Sequence, residues 1–232
     1  MPVSIAGTPA ITTFSAVASG NANYPATVNA GELLTLDFSQ TIDVGITTPS
    51  GWTSIGAVGD GFASGRAASF YKVAAGTEGG TTLALTFGAS CDAVATITRH
   101  SGFDSTTPIN GTPTTNSATS GSTTAITSPS VTTSVNGCLI RRLVATREST
   151  GIAVPGSETD GGTGTTGTSS VNSTNRVGYS TQSASGATGT VTFVGSGGDR
   201  EWVAVTYAIA PSAGGGAPVP VFVHNLRQQG IA

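Results

Sequence analysis

The chain has 232 residues, a formal net charge of −3 and only 9% charged side chains, whereas glycine alone occupies 33 positions. Nine basic residues against 12 acidic ones give no basic stripe that could neutralise a run of phosphates, so we expect no binding to nucleic acid. The single lysine argues against long amphipathic helices, which need charged side chains on their wet face.

Membrane insertion and secretion are not indicated either. No apolar run approaches the ~20 residues that a membrane-spanning helix needs, and the first twenty residues contain no Lys or Arg for a signal peptide. We therefore expect no membrane partner and assembly in the cytoplasm of the producing cell.

The first forty residues predict one firm strand. Pro2 to Gly20 alternates weakly and predicts an extended stretch with at most one short strand, and Asn21 to Asn29 predicts a loop. From Leu33 to Phe38 apolar and polar residues alternate, which is typical of a half-buried strand.

The next stretch predicts a compact antiparallel unit. Gly56 to Gly65 lacks the Gly-Lys-Ser/Thr ending of a phosphate-binding loop and predicts an ordinary loop. After it we predict a strand at Ser69 to Val73, a hairpin connection at Gly76 to Gly80, and separate strands at Thr82 to Phe87 and Asp92 to His100.

Two segments rich in small polar residues follow. Ser105 to Ser134 has the composition of a disordered linker, but Ile126 and Val131 flank Ser128-Pro129 as buried anchors would, so we favour ordered, extended edge structure. Gly156 to Ser170 predicts a long loop.

The second half repeats the pattern of the first and so predicts the fold class. Its four predicted strands are Cys138 to Thr146, Arg176 to Gln182, Thr188 to Val194 and Glu201 to Ala210. Neither half would bury an apolar face alone, so we predict an all-β fold: an antiparallel, jelly-roll-like β-sandwich of two pseudo-repeated halves around a single core. The sandwich domain is predicted at 1–211, and an extended C-terminal tail at 212–232.

No constellation of residues indicates an enzyme. His100, Ser101 and Asp104 are close in sequence, but adjacent strand residues point to opposite faces and no nucleophile elbow is present. The acid pairs Glu158/Asp160 and Asp199/Glu201 have the character of solvated charges. We therefore predict no catalytic residues, no cofactor and no metal site.

Two residue types leave alternatives open. Cys91 and Cys138 allow one disulfide, although two reduced, buried cysteines are favoured. Trp52, after a Pro-Ser-Gly turn, is favoured as a lid on the core. Alternatively, Trp52, Tyr179 or Trp202 stacks on a sugar.

The order of several motifs resembles a group of β-sandwich proteins from tailed phages. These motifs are Pro-Ser-Gly-Trp (49–52), Phe-Tyr-Lys-Val-Ala (70–74), His-Ser-Gly-Phe-Asp (100–104) and Thr-Pro-Ile-Asn (107–110), with further similarity at 183–189 and 202–209. The resemblance implies a virion structural protein: a capsid decoration (cement) protein, or a tail or fibre component with a glycan-binding module for host attachment. It also implies a homotrimer on the capsid surface, with the major capsid protein or other virion subunits as partners.

The tail is more apolar than an unused terminus. After the hinge Gly214-Gly215-Gly216 the sequence alternates apolar residues as an extended strand does, so the segment is suited to adding to the sheet edge of a partner. Folding back on its own domain is the alternative. We predict partner contacts from Val219, Val221, Phe222, Val223, Leu226, Arg227 and Ile231.

Overall fold

The structure is a computed structural model that describes residues 1–62, 65–118, 124–147, 151–166, 173–196 and 201–213, with the backbone alone for residues 57–62. Within these residues all regular secondary structure is β-strand, and the named strand pairings are antiparallel. No helix capable of spanning a membrane is found in this part of the chain. The predicted all-β, sandwich-like class is confirmed.

The described residues form sixteen strands, which divide into two successive groups. The first group is β1 (Ser4–Ile5), β2 (Ala10–Asn23), β3 (Leu33–Gln40), β4 (Thr53–Phe62), β5 (Gly65–Val73) and β6 (Thr82–Ser101). The second is β7 (Ile109–Ala118), β8 (Ala125–Ser128), β9 (Thr132–Thr133), β10 (Cys138–Arg147), β11 (Ile152–Ala153), β12 (Thr159–Thr165), β13 (Ser173–Gln182), β14 (Gly186–Ala187), β15 (Val191–Gly195) and β16 (Trp202–Ile209).

Each group forms one large sheet. In the first sheet the order is β2-β6-β3-β5-β4, with β1 continuing the β2 edge of β6. In the second sheet the order is β7-β16-β10-β13-β12. Counted along the chain, the five strands of either sheet lie in the same order, namely first, fifth, second, fourth and third.

A β-ribbon lies over the outer face of each large sheet. In the first group β2 and β6 continue past β3, and the side chains of Ala22, Leu83 and Leu85 pack against Leu36 and Phe70. In the second group the ribbon is the three-stranded sheet β11-β15-β8, whose Ile126 and Phe193 pack against Val144 and Trp202. Each outer face therefore carries an apolar cluster that its ribbon covers.

The prediction of a single core is wrong. The largest apolar cluster contains residues of 14–97 alone, two smaller clusters contain residues of 126–208 alone, and a fourth lies between the two sheets. The cause is the pair of ribbons, because each gives its own half a second apolar layer. Leu36, Ile97, Leu143 and Val205 are fully buried.

Two predictions for the first half are corrected. Pro2 to Gly20 does not hold merely a short strand, because β2 runs to Asn23 along the edge of β6. Thr82 to Phe87 and Asp92 to His100 are one strand, β6. The β2–β6 pairing has register shifts between Phe14 and Val17 and between Val17 and Ser19, which lie where the two predicted strands join.

Both predicted glycine-rich loops contain strand residues in their described parts. Gly56 to Gly65 lies mostly within the β4–β5 hairpin, and 156–170 contains β12. The prediction of ordered edge structure for 105–134 is confirmed in its described part by β7 and β8. Residues 119–123 and most of the predicted tail, 214–232, lie outside the described residues.

Candidate functional site

The two ends of the described chain meet at one end of the molecule. The Met1 ammonium donates hydrogen bonds to the Ser212 carbonyl (3.3 Å) and hydroxyl (3.0 Å). The Ser212 amide donates to the Gly102 carbonyl at 2.7 Å, and Phe103 forms a β-bridge with Pro211. Pro211 and Ser212 are therefore held in place by Met1 and by the turn after β6.

A cavity of about 300 Å³ opens at this point, lined by Asp104, Thr107, Asn110, Val135, Asn136 and Ala210 to Ala213. Val135 contributes an apolar side chain that is 41% exposed. Ala213, the last described residue, is part of the cavity wall.

Local hydrogen bonds fix the polar walls. The Asp104 carboxylate accepts from the Thr106 amide (2.8 Å) and the Thr107 amide (3.2 Å), which lowers its pKa. Asn110 exchanges two hydrogen bonds with Ser134, at 2.9 Å and 2.7 Å. Because these polar groups already have partners, the cavity offers a fixed shape and an apolar contact rather than reactive groups.

The residues considered for catalysis do not converge. His100 is fully buried and bonded through Nε2 to the Thr35 hydroxyl (2.9 Å), and burial and then Arg141 lower its pKa well below the usual range. Ser101 is exposed and bonds to Ser4, while Asp104 caps its own turn. A nucleophile and a base are therefore not within reach of each other in this group.

The acid pairs are held by arginines instead of facing each other. Glu158 pairs with buried Arg142 at 3.2 Å, and Asp160 pairs with Arg176 at 2.6 Å. Glu201 lies 3.7 Å from Arg147, and Asp199 is outside the described residues. Among the described residues no group of three or more His, Cys, Asp or Glu could hold a metal ion.

The structure bears on the two alternatives left open: core lid or sugar platform for the aromatic residues, and disulfide or free thiols for the cysteines. Trp52 is 6% exposed and stacks on Tyr24 with ring centroids 6.4 Å apart, as a core lid would. Trp202 is buried and Tyr179 half-buried, so neither tryptophan presents a face to a sugar. Both cysteines are free and buried, and burial, followed by Asp92, raises the pKa of Cys91 to about 11.

A buried polar network between the two sheets was not predicted from the sequence. Arg141 Nη2 lies 2.6 Å from Asp37 Oδ2 and donates to the Thr98 hydroxyl at 3.0 Å. The Tyr207 hydroxyl donates to Asp37 Oδ1 at 3.1 Å, and burial raises the pKa of Tyr207, which keeps this proton in place. The signal that could have indicated the network is Arg141-Arg142, which interrupts an apolar strand.

The predicted partner-binding residues follow Ala213 in the chain. Val219, Val221, Phe222, Val223, Leu226, Arg227 and Ile231 all lie outside the described residues. Comparisons of the chain with protein-family models, with curated proteins and with solved structures give no match.

Proposed function

We propose that this protein is a structural component of a tailed-phage particle, a decoration (cement) protein that docks on the capsid and stabilises it. The observation that carries the proposal is the fixed origin of the C-terminal segment beside the cavity at one end of the domain. A rigid β domain that delivers an apolar arm from a defined point is suited to anchoring on a lattice of subunits.

Two further features support a structural role. The motif resemblance covers most of the domain, and the buried carboxylates of Asp37 and Glu158 are neutralised by arginines and so are committed to holding the fold. The proposed partners are the major capsid protein and further copies of the chain in a homotrimer, and the proposed location is the capsid surface.

The jelly-roll character of the sandwich is part of the same proposal. A jelly-roll-like sandwich of two repeated halves is supported by the shared strand order of the two large sheets and by the ribbon over each outer face. The sandwich domain would end near Pro211, which closes the structure by bridging to Phe103.

The alternative function is a tail or fibre component with a glycan-binding module. It requires exposed aromatic rings, and the burial of Trp52 and Trp202 leaves the half-buried Tyr179 as the remaining ring of the three. The decoration role is therefore the one we adopt, and a glycan array on the purified protein tests the other.

The proposal is tested on particles of the phage that encodes the chain. We expect quantitative mass spectrometry to find the protein in purified particles in fixed ratio to the capsid protein, and particles made without it to lose DNA sooner on heating or osmotic shock. Particles that lack the protein altogether, or that are equally robust without it, would refute the decoration role.

A further inference from the structure

The two halves of the molecule each contain an apolar interior of their own. The cluster that includes Leu36, Phe70 and Leu85 draws on residues of 14–97 alone, and the clusters around Phe193 and Ile140 draw on residues of 126–208 alone. Each half therefore buries apolar side chains between its sheet and its ribbon without help from the other half.

The surface between the halves is of a different kind. Its apolar contacts are interspersed with hydrogen bonds from one sheet to the other: Arg141 to Asp37, Ser39 to Ser173 (3.0 Å) and Thr96 to Asn175 (3.5 Å). A mixture of apolar and paired polar groups is typical of an interface between subunits or domains more than of a domain core.

The contacts between the two sheets are arranged as in a symmetric dimer. Strand β4 contacts β7 and β16, and β12, which holds the same place in the second sheet, contacts β2 and β6. Likewise β5 contacts β10 and β16, while its counterpart β13 contacts β3 and β6. Exchanging corresponding strands turns each contact into another observed contact, which is the property of a two-fold, self-complementary interface.

The side chains at its centre break that symmetry. Asp37 lies on the first sheet, whereas Arg141 and Tyr207 lie on the second, and the side chains of all three are fully buried. Two first halves paired in this way would bury two carboxylates without a cation, and two second halves would bury two guanidinium groups without an anion. Both arrangements are strongly unfavourable, since an unpaired buried charge costs several kcal/mol.

We propose that the surface between the sheets is a recognition surface of the subunit type: residues on either side of the 104–108 connection form separate folding units, and the first unit selects the second and rejects a copy of itself. The pairing of Asp37 with Arg141 and Tyr207 supplies the selection. The molecule is thus a heterodimer joined into one chain, with the opposite half as the only partner that fits.

The test uses the full chain, folded before it is cut. A protease site is inserted between Ser105 and Thr106, which lie in an exposed turn, and the folded protein is then cleaved there. We expect native mass spectrometry and gel filtration to show the two fragments still associated one to one. Mixing separated fragments should restore that complex, with neither fragment forming a dimer of its own.

Substitutions in the cleaved protein identify the selecting contact. Asp37→Leu or Arg141→Met alone is expected to weaken association of the fragments roughly a hundredfold or more, because the remaining charge is buried without its partner. The double variant D37L/R141M should regain most of the lost affinity. Asp43→Asn serves as the control, since the Asp43–Arg66 pair is exposed and lies within the first half.

Hydrogen exchange on the uncut Arg141→Met variant separates weakened pairing from failed folding. We expect amides of β3 and of β10 to stay protected in two units of different stability. Exchange of the whole chain as one unit, fragments that unfold on cleavage, a self-dimer as stable as the mixed pair, or unchanged affinity in the single variants would each overturn the proposal.

Discussion

At the scale of single residues, stability depends on where the few charges lie. Arg141 and Arg142 are adjacent in β10, so one points between the sheets and the other points outward under the ribbon. Arg142 donates to the carbonyls of Pro129 (2.9 Å) and Gly189 (3.1 Å) and pairs with Glu158. It therefore ties the second sheet to the segments that cover it.

Replacing Arg142 with Met is expected to destabilise the fold by about 3–5 kcal/mol, because Glu158 would keep a buried charge without its partner. Arg176→Met is the matched control: Arg176 also pairs with a carboxylate, but Asp160 is 52% exposed, so a loss below about 1 kcal/mol is expected. Urea unfolding measures both. Equal losses in the two variants would contradict the role assigned to Arg142.

Glu32 makes the stability of the fold depend on pH. A bidentate hydrogen bond from Arg99, at 2.7 Å to each oxygen, is the main cause that lowers the pKa of Glu32 from 4.5 to about 2. For Glu78, burial raises the pKa, but the Ala75 amide and Lys72 outweigh it and bring the pKa to about 2. In both cases the folded state binds the proton more weakly than the unfolded chain does.

The stabilisation from Glu32 is therefore fully present above pH 4.5 and is lost as the pH falls toward 2. We expect the urea midpoint of the unaltered protein to fall over this interval, and the fall to be shallower in Glu32→Gln, which has no carboxylate to protonate there. A Glu32→Gln variant with the same pH slope as the unaltered protein would contradict this assignment.

At the scale of elements, glycine allows close packing of edge strands. A Cβ on Gly164 would lie 2.5 Å from Val94 Cγ1 and 2.9 Å from Ile11 Cγ2, both of which belong to the opposite sheet. A Cβ on Gly161 would lie 2.9 Å from the Val177 carbonyl oxygen. Gly164 thus lets this edge strand lie directly against β2 and β6, and Gly161 lets it lie close to β13 in its own sheet.

Gly164→Ala is expected to cost about 1–3 kcal/mol, because the added methyl group forces the two sheets apart. Gly45→Ala is its control, since nothing lies within 4 Å of a Cβ there and the backbone does not require glycine. Thermal melts should show Gly45→Ala neutral or slightly stabilised. A Gly164→Ala variant as stable as the control would show that β12 can move away from the first sheet without a measurable loss of stability.

These contacts explain which parts of the fold the sequence could predict. Strands β3 and β16 were predicted because their own residues, alternating in β3 and almost continuously apolar in β16, indicate a strand. The expectation that β3 is half-buried is wrong, because β3 is buried on both faces, as β16 is. Strand β12 was predicted as a loop because its glycines serve a neighbour distant in sequence, and local composition carries no information about that neighbour. The Asp37–Arg141 pair was missed for the same reason, since its members are 104 residues apart.

At the scale of the whole molecule, the fold brings Met1 and Ser212, near the two ends of the described chain, to one place and leaves the edge strands β4 and β12 irregular. Register shifts interrupt β4 at Ser54/Val58 and β12 at Asp160/Thr163, which makes these edges poor templates for unwanted pairing. The last described residues, Pro211 to Ala213 beside the cavity, are then the place from which the proposed arm would reach a partner.

Removal of the residues after Gly216 tests whether this segment is the arm that binds a partner. The prediction rests on the proposed function. The described domain buries its apolar clusters without these residues, so the truncated protein should melt at the temperature of the full chain. It should no longer occupy its sites on particles, because Val219, Val221 and Phe222 are the residues proposed to fill a partner's pockets. Full chains carrying Val221→Asp should fail in the same way, whereas Gly215→Ser, which replaces glycine with another residue typical of linkers, should bind normally. Copies per particle, counted by mass spectrometry against the capsid protein, decide the matter: a truncated protein at full occupancy would show that the domain surface, and not the arm, makes the contact.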